Sequence, residues 1–432
     1  MNSTQTLALP TARTALLSKL NDVTRLAVIE DGRLAEYIVS RDSERRLAGS
    51  IFLGRVINRA PSLGAVFVDI GLERGALLPL NDQPPPDVEP RVRPVAAPIA
   101  HLSPGDPALV QVAREPDPGK GPRVTRNIVL PGRFAALMPS FDTVGVSRKI
   151  VDEDERVRLR TLGESHKSGG IGWILRTAAE GETEEAILHD VEDTLTLWHD
   201  IQSRAKTAKP PACLFANDDI TVRIARDLTD ARLKDCAVDD DRLFKSALNA
   251  FRRIAPERAD VVRLDKEQPS LFERFGIQRG IDNLLKRRVE LNGGAFLLFE
   301  PCETLTAIDV NSGRDARLRT ERDSVLNINR IAAKEIARQL RLRDIGGVIL
   351  IDFIDMRSDE DREALQSFFI ECARGDRGRV RVEGFTRRGL LELTRKKSDA
   401  PLRTLLTREC PTCHGDGRIL IGDNGDKVTS SN

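Results

Sequence analysis

The chain has 432 residues, 40% of them hydrophobic and 31% charged, with a formal net charge of +1. That length allows about two to four domains. The composition excludes a disordered chain, and the near-zero charge excludes a uniformly basic nucleic-acid binder. No apolar run approaches the roughly 20 residues of a membrane span. Residues 1–19 lack an apolar core of signal-peptide length. Six cysteines in so long a chain fit a reducing, cytoplasmic setting better than a disulfide scaffold.

In chain order, residues 26–39 predict two strands around Asp31-Gly32, a strong hairpin signal. Short β-type runs follow: IFLGRVINR, AVFVDIG, GALLPL and ALVQVARE, punctuated by Gly and Pro as in a small barrel. Pro84, Pro85, Pro86, Pro90, Pro94 and Pro98 mark residues 82–100 as an exposed loop insertion. Residues 131–210 mix short strands with a helix near 182–206, and Lys209-Pro210-Pro211 suggests a boundary. Residues 218–290 alternate strand and helix, and the polar tail beyond Gly417 is predicted to be disordered.

A strand–helix–strand pattern begins near residue 295. Residues 304–309 (TLTAID) and 347–352 (GVILID) are β-type runs that each end in a carboxylate. Between them Val325, Ile328, Ala332, Ile336 and Leu340 recur at helical spacing, and Gly346-Gly347 suits the helix end. Such units pair their strands in parallel, bringing both strand ends to the sheet edge where α/β enzymes bind ligands. Asp309 and Asp352 can then meet around one magnesium ion, which takes hard oxygen ligands and typically one or two carboxylates. Asn311 lies two residues after Asp309 and so points to the same side. Asp355 is at odd spacing from Asp352 and points away if the strand continues. Turn capping is the competing role for the two aspartates.

Residues 374–408 hold eleven Lys or Arg against four acids, which suits phosphate binding as well as a solvated face. Cys410-Pro411-Thr412-Cys413-His414-Gly415 supplies two thiolates on one tight turn. A structural zinc needs four ligands, and there is no second C-x-x-C. Cys213, Cys236, Cys302 and Cys372 are scattered. The simplest completion is a second copy of the chain, and a redox dithiol is the alternative.

Three stretches, AIDVNS (307–312), IARQLRLRDIGG (336–347) and IDFIDM (351–356), resemble the catalytic core of the ribonuclease E/G family, nearest its ribonuclease G branch. The resemblance covers nearly the whole chain. It implies an α/β multidomain fold. Residues 1–45 and 212–285 would form a ribonuclease H-like subdomain, 46–130 an S1 (OB-type) RNA-binding barrel, and 131–211 a 5′-sensor region. Residues 286–406 would form a deoxyribonuclease I-like catalytic domain, 407–418 a zinc-link, and 419–432 a tail.

The implied activity is magnesium-dependent endoribonucleolytic cleavage of single-stranded RNA to 5′-phosphate and 3′-hydroxyl ends, in rRNA maturation and RNA turnover in the cytoplasm. Asp309 and Asp352 match the magnesium ligands of the family, and Asn311 the amide that supports them. GWILRTA (172–178) resembles its 5′-monophosphate pocket, with Gly132, Arg148, Arg176 and Thr177 as the matching residues; a guanidinium and a hydroxyl suit a terminal phosphate. In the barrel Phe67 matches a base-stacking platform and Lys120 a phosphate contact. Strand alternation lets Phe67 face away from Val66 and Val68, and a core position is its alternative. Leu77 stands where the family often has a second aromatic. Arg379 matches an RNA-contacting arginine. Cys410 and Cys413 match a zinc-link that joins two protomers, which can pair further into tetramers. The absence of a long extension after Cys413 favours the ribonuclease G type. A non-catalytic S1-type RNA-binding protein is the alternative, and it would have no need of clustered strand-end carboxylates.

Overall fold

The computed structural model describes residues 12–41, 46–82, 99–116, 119–167, 169–217, 219–302, 304–313, 322–356, 358–376, 378–396, 402–408, 410, 411 and 413. Most of the Pro-rich insertion and the whole of the 419–432 tail lie outside them. The described strands form four sheets in a mixed α/β architecture.

The first sheet joins distant parts of the chain. Its order is Val262–Leu264, Leu233–Val238, Arg13–Leu20, Val23–Glu30, Arg33–Arg41, with Arg13–Leu20 parallel to Leu233–Val238. The expected hairpin is present. Asp31 and Gly32 both take positive φ, 47° and 76°, as the tight hairpin turn requires.

The second sheet closes on itself. Strands Ile51–Ala60, Ala65–Asp69, Ala76–Pro79, Arg123–Thr125 and Pro107–Arg114 follow in order, and the last pairs back to the first from Ile51↔Gln111 to Arg55↔Pro107. Val56, Val66, Val68, Leu78, Val110 and Val124 fill this small barrel. Strand Ala212–Phe215, past the Pro210-Pro211 boundary, adds to the outside of Ile51–Ala60 rather than joining the first sheet.

The third sheet runs Val144–Val146, Gly172–Leu175, Ala135–Met138, Leu130–Pro131 and packs against helices Glu153–His166 and Glu184–Thr207. The longer helix is capped by Thr183, whose side chain accepts from Ala186 N, two residues later than the sequence pattern suggests.

The fourth sheet holds the predicted strand–helix–strand unit. Its order is Arg288–Glu290, Phe296–Pro301, Leu305–Asn311, Gly347–Asp352, Leu390–Arg395, Val380–Phe385. Leu305–Asn311 and Gly347–Asp352 are its parallel neighbours, joined through helix Arg322–Arg343. Val325, Ile328, Ala332, Ile336 and Leu340 are all buried, as their spacing predicts. The helix ends differently from expectation. Asp344, at φ 48°, takes the left-handed cap position, and Ile345 N donates back to Leu340 O at 3.2 Å. Asp tolerates that region better than most side chains, so the glycines two residues on are not needed for it.

The same helix ties the fourth sheet to the first. Arg341 bonds Glu30 at 3.0 Å and Glu36 at 2.8 Å, and Arg338 donates to Leu34 O at 2.6 Å. Burial alone would raise the pKa of Glu30, but Arg341 and Arg13 hold it below the ordinary carboxylate value. These charges are therefore paired in the fold and lock two sheets together.

Candidate active site and RNA-facing surfaces

Along Leu305–Asn311 the buried residues Thr306, Ile308 and Val310 alternate with Asp309 and Asn311 on the opposite face. Along Gly347–Asp352, Ile349 and Ile351 are buried and Asp352 is exposed. The parallel register sets Asp309 directly opposite Asp352. Residues opposed in a ladder project to the same face, so the two carboxylates stand side by side on the side of the sheet away from the core. Asn311 Nδ2 donates to Asp309 Oδ2 at 2.7 Å, which fixes that carboxylate.

Among the described residues the charge of this corner is uncompensated. Burial first, then the charges of Asp309 and Asp355, push Asp352 above the ordinary aspartate value. Among the described residues no cationic side chain bonds Asp309 or Asp352. The strand stops at Asp352, so the alternation that excluded Asp355 does not apply. Phe353 and Met356 are buried while Asp352 and Asp355 are exposed, so both acids belong to the solvent side of one turn. Beside them, Asp352 is opposed by Leu390, and the hairpin turn before Leu390 carries Arg387 and Arg388. Both arginines are exposed, and among the described residues neither forms an ion pair or hydrogen bond. In the sequence they were indistinguishable from the rest of the basic stretch.

On the barrel, Asn58, Phe67, Leu77 and Arg123 are ladder partners in a row across four strands. Phe67 is half-buried, not part of the barrel core, while Val66 and Val68 are fully buried. Leu77 stands beside it, so this row offers one aromatic face. Lys120 is exposed in the loop that precedes Arg123.

The Arg-Thr pair sits at the end of the central strand of the third sheet. Ser147 N donates to Leu175 O at 2.8 Å, and Thr177 Oγ1 lies 3.1 Å from Ser147 Oγ. Arg176 Nη1 donates to Gly132 O, so Gly132, Ser147, Arg176 and Thr177 are brought together, with Arg148 exposed beside them. Gly132 has no room for a side chain, because a Cβ would meet Asp190 Oδ2 at 2.5 Å. Asp190 accepts from the amides of Arg133, Phe134 and Ala135 at 2.8–2.9 Å and holds the loop. Arg176 Nη2 pairs with Asp227 at 2.9 Å. Neither Asp190 nor Asp227 carried a signal in the sequence, since neither sits in a recognisable motif. Lys149, in the same turn, donates to Arg374 O at 2.9 Å and joins this region to the loop that precedes Arg379. Arg379 itself is exposed at φ 51°.

Cys410 is exposed and Cys413 half-buried just past helix Leu402–Leu406. Thr412 and His414 lie outside the described residues. Among the described residues no group of three or more His, Cys, Asp or Glu side chains converges. No described helix is long and apolar enough to cross a membrane.

Paired carboxylates at a sheet corner, exposed arginines beside them and a barrel with an outward aromatic are the parts of an enzyme that works on a polyanionic chain. The comparisons with known proteins agree. The model of the ribonuclease E/G family matches residues 129–398. Ribonuclease G of Haemophilus influenzae is 35% identical over 94% of this chain and 83% of its own length. Ribonuclease G of Escherichia coli K12 is 34% identical over 92% of this chain and 82% of its own. Ribonuclease E of Synechocystis is 39% identical over 92% of this chain, which spans 59% of that longer protein. The chain belongs to the ribonuclease E/G family and is an endoribonuclease.

Proposed function

We propose that this endoribonuclease cuts single-stranded RNA by magnesium-dependent hydrolysis, leaving 5′-phosphate and 3′-hydroxyl ends, and that it senses a 5′-monophosphate. The observation that carries the proposal is the register of Asp309 with Asp352, two exposed neighbouring carboxylates without a cationic partner among the described residues. They fit a magnesium ion, which is satisfied by one or two carboxylates, waters and substrate phosphate. A bound magnesium supplies a water of lowered pKa and polarises a phosphoryl oxygen. Asp309 and Asp352 would hold it, and Asn311 keeps the Asp309 carboxylate in place. Phe67 offers a face on which a base stacks, and Lys120, Arg379 and the Arg387-Arg388 turn offer charge to the RNA backbone. Gly132, Arg148, Arg176 and Thr177 form the pocket for the 5′-phosphate.

The same proposal assigns the barrel as an S1 domain (46–130) and the third sheet with its helices as the 5′-sensor (131–211). The first sheet is the core of the ribonuclease H-like part (1–45 and 212–285, whose leading strand Ala212–Phe215 pairs with the barrel instead), the fourth the deoxyribonuclease I-like catalytic domain (286–406), and 407–418 the zinc-link. The substrates are rRNA precursors and other transcripts in the cytoplasm. Cys410 and Cys413 give two of the four thiolates that a structural zinc takes, so a second copy completes the site, as a two-fold homodimer would, and dimers can pair into tetramers.

Purified protein incubated with a 5′-monophosphorylated single-stranded oligoribonucleotide, with and without magnesium, tests the activity. Cleavage is expected only with the metal, and full cleavage in chelator would remove the proposal. Cys410→Ser with Cys413→Ser tests the assembly by metal analysis and light scattering. Wild type should hold about one zinc per two chains, and the variant should lose it and shift toward monomer. One zinc per wild-type monomer would end the shared-site assignment.

A further inference from the structure

The buried face of helix Arg322–Arg343 carries, at Asn329, an amide that packing alone does not require. Asn329 is 0% exposed, and Val325, Ala332 and Ala333 around it on the same face are buried in the core under the fourth sheet. Leucine has nearly the same outline and would fill the site without a polar group to desolvate. A buried amide persists where both ends of its dipole are bonded. Here both bonds go to the backbone of one residue: Asn329 Nδ2 donates to Ile354 O at 2.8 Å, and Ile354 N donates to Asn329 Oδ1 at 3.1 Å.

The place of Ile354 gives these bonds their meaning. The strand pairing on both sides of Gly347–Asp352 ends at Asp352. Two residues later the chain has left the ladder, and the helix side chain takes over as a partner of its N–H and C=O. Ile354 lies between Asp352 and Asp355, the exposed acids of the turn, while Phe353 and Met356 anchor it in the core. Phe353 and Met356 set the depth of the turn. The planar, two-bond amide adds what apolar packing lacks, a fixed direction for the peptide planes that follow Asp352.

We propose that Asn329 is a positioning residue for the active site: its clamp on Ile354 fixes the backbone that presents the Asp352 and Asp355 carboxylates. This rests on the assignment of Asp352 as a metal ligand. Groups that orient a ligand from behind change metal affinity by about 10–100-fold when removed.

Asn329→Leu keeps the volume and removes both bonds. Manganese binding, measured by titration calorimetry on the full chain without RNA, should weaken by about ten-fold or more. The rate constant kcat should fall with it while KM for RNA stays within about two-fold, because the RNA-facing surfaces are untouched. Hydrogen exchange at the Ile354 amide should accelerate. Leu340→Ala, equally buried on the same helix but remote from this turn, is the control for lost stability. It should lower the melting temperature and leave manganese binding unchanged. If Asn329→Leu does not fold, Asn329→Ala carries the test, since it removes both bonds to Ile354 without adding bulk at the buried position. Wild-type manganese affinity in a folded Asn329 variant, or an equal loss in Leu340→Ala, overturns the positioning role. Asp352→Asn separates the two claims. If it binds manganese like wild type, the metal site is wrongly assigned, whereas its loss beside an unaffected Asn329 variant condemns the clamp alone.

Discussion

The aspartate corner and the Arg176 turn are both charged, and they store their charge in opposite ways. Asp309 and Asp352 stand together without a cationic partner among the described residues, and their repulsion adds to burial in raising the pKa of Asp352. Arg176 is already matched, by Asp227 and by the carbonyls of Gly132 and Arg133. The first arrangement gains when a cation arrives and pays no exchange cost. In the proposed sensor role, the second would have to trade an internal carboxylate for an external phosphate, so its net gain would be smaller. The proposed catalytic centre and the proposed sensor would differ in this way, one committed to its ligand and one poised near balance.

The largest effect expected from this contrast is at the corner. Asp309→Asn or Asp352→Asn should lower cleavage by about three orders of magnitude or more, since each carboxylate supplies charge that an amide cannot. RNA affinity, measured by a binding assay in parallel, should stay within a few-fold. Near wild-type cleavage by either variant would make the corner a pair of capping residues.

A smaller effect is expected at the turn. Charge-assisted bonds are worth roughly 1.5–3 kcal/mol, so Arg176→Ala should erase a preference of about ten-fold or more for 5′-monophosphorylated over 5′-hydroxyl substrate. Asp227→Asn should raise that preference by about two-fold, because the internal competitor is weakened. If Asp227→Asn abolishes it instead, the carboxylate aims the guanidinium and the balance described above is wrong.

The smallest effect is on stability. The folded pKa of Asp352 lies above its ordinary value, so its ionisation opposes folding. That penalty is absent below the unfolded pKa and grows as pH rises through the folded one. Asp352→Asn should therefore melt about 1–2 °C higher at neutral pH, as exposed charges are worth less than about 1 kcal/mol. The gain should vanish near about pH 4, and thermal melts across that range would check it. A lower melting temperature at neutral pH would mean the corner is not under repulsion.

Much of this was legible in the residues. The periodicity of Val325 to Leu340 gave the helix, the flanking apolar runs gave its two strands, and the parallel rule gave the meeting of Asp309 and Asp352, because short-range pattern and handedness are local properties. Asp31-Gly32 gave its hairpin for the same reason. Position at the helix end was less legible, since Asp344 and the two glycines are all acceptable there and only packing chose the first.

What the tertiary structure alone decided is which long-range partner each polar group meets. Asp355 joined the acidic corner because the strand stopped one turn early. Asp190 and Asp227 became the supports of the Arg176 turn because the helices that follow it, Glu184–Thr207 and Ile220–Asp227, fold back over it. Strand Ala212–Phe215 left the flanking sheet for the barrel. Asn329, a polar residue among buried apolar ones, became meaningful only when Ile354 was seen against it. Sequence fixes periodicity through the geometry of one element, whereas hydrogen-bond partners across elements are set by the packing of the whole core, which no single stretch encodes.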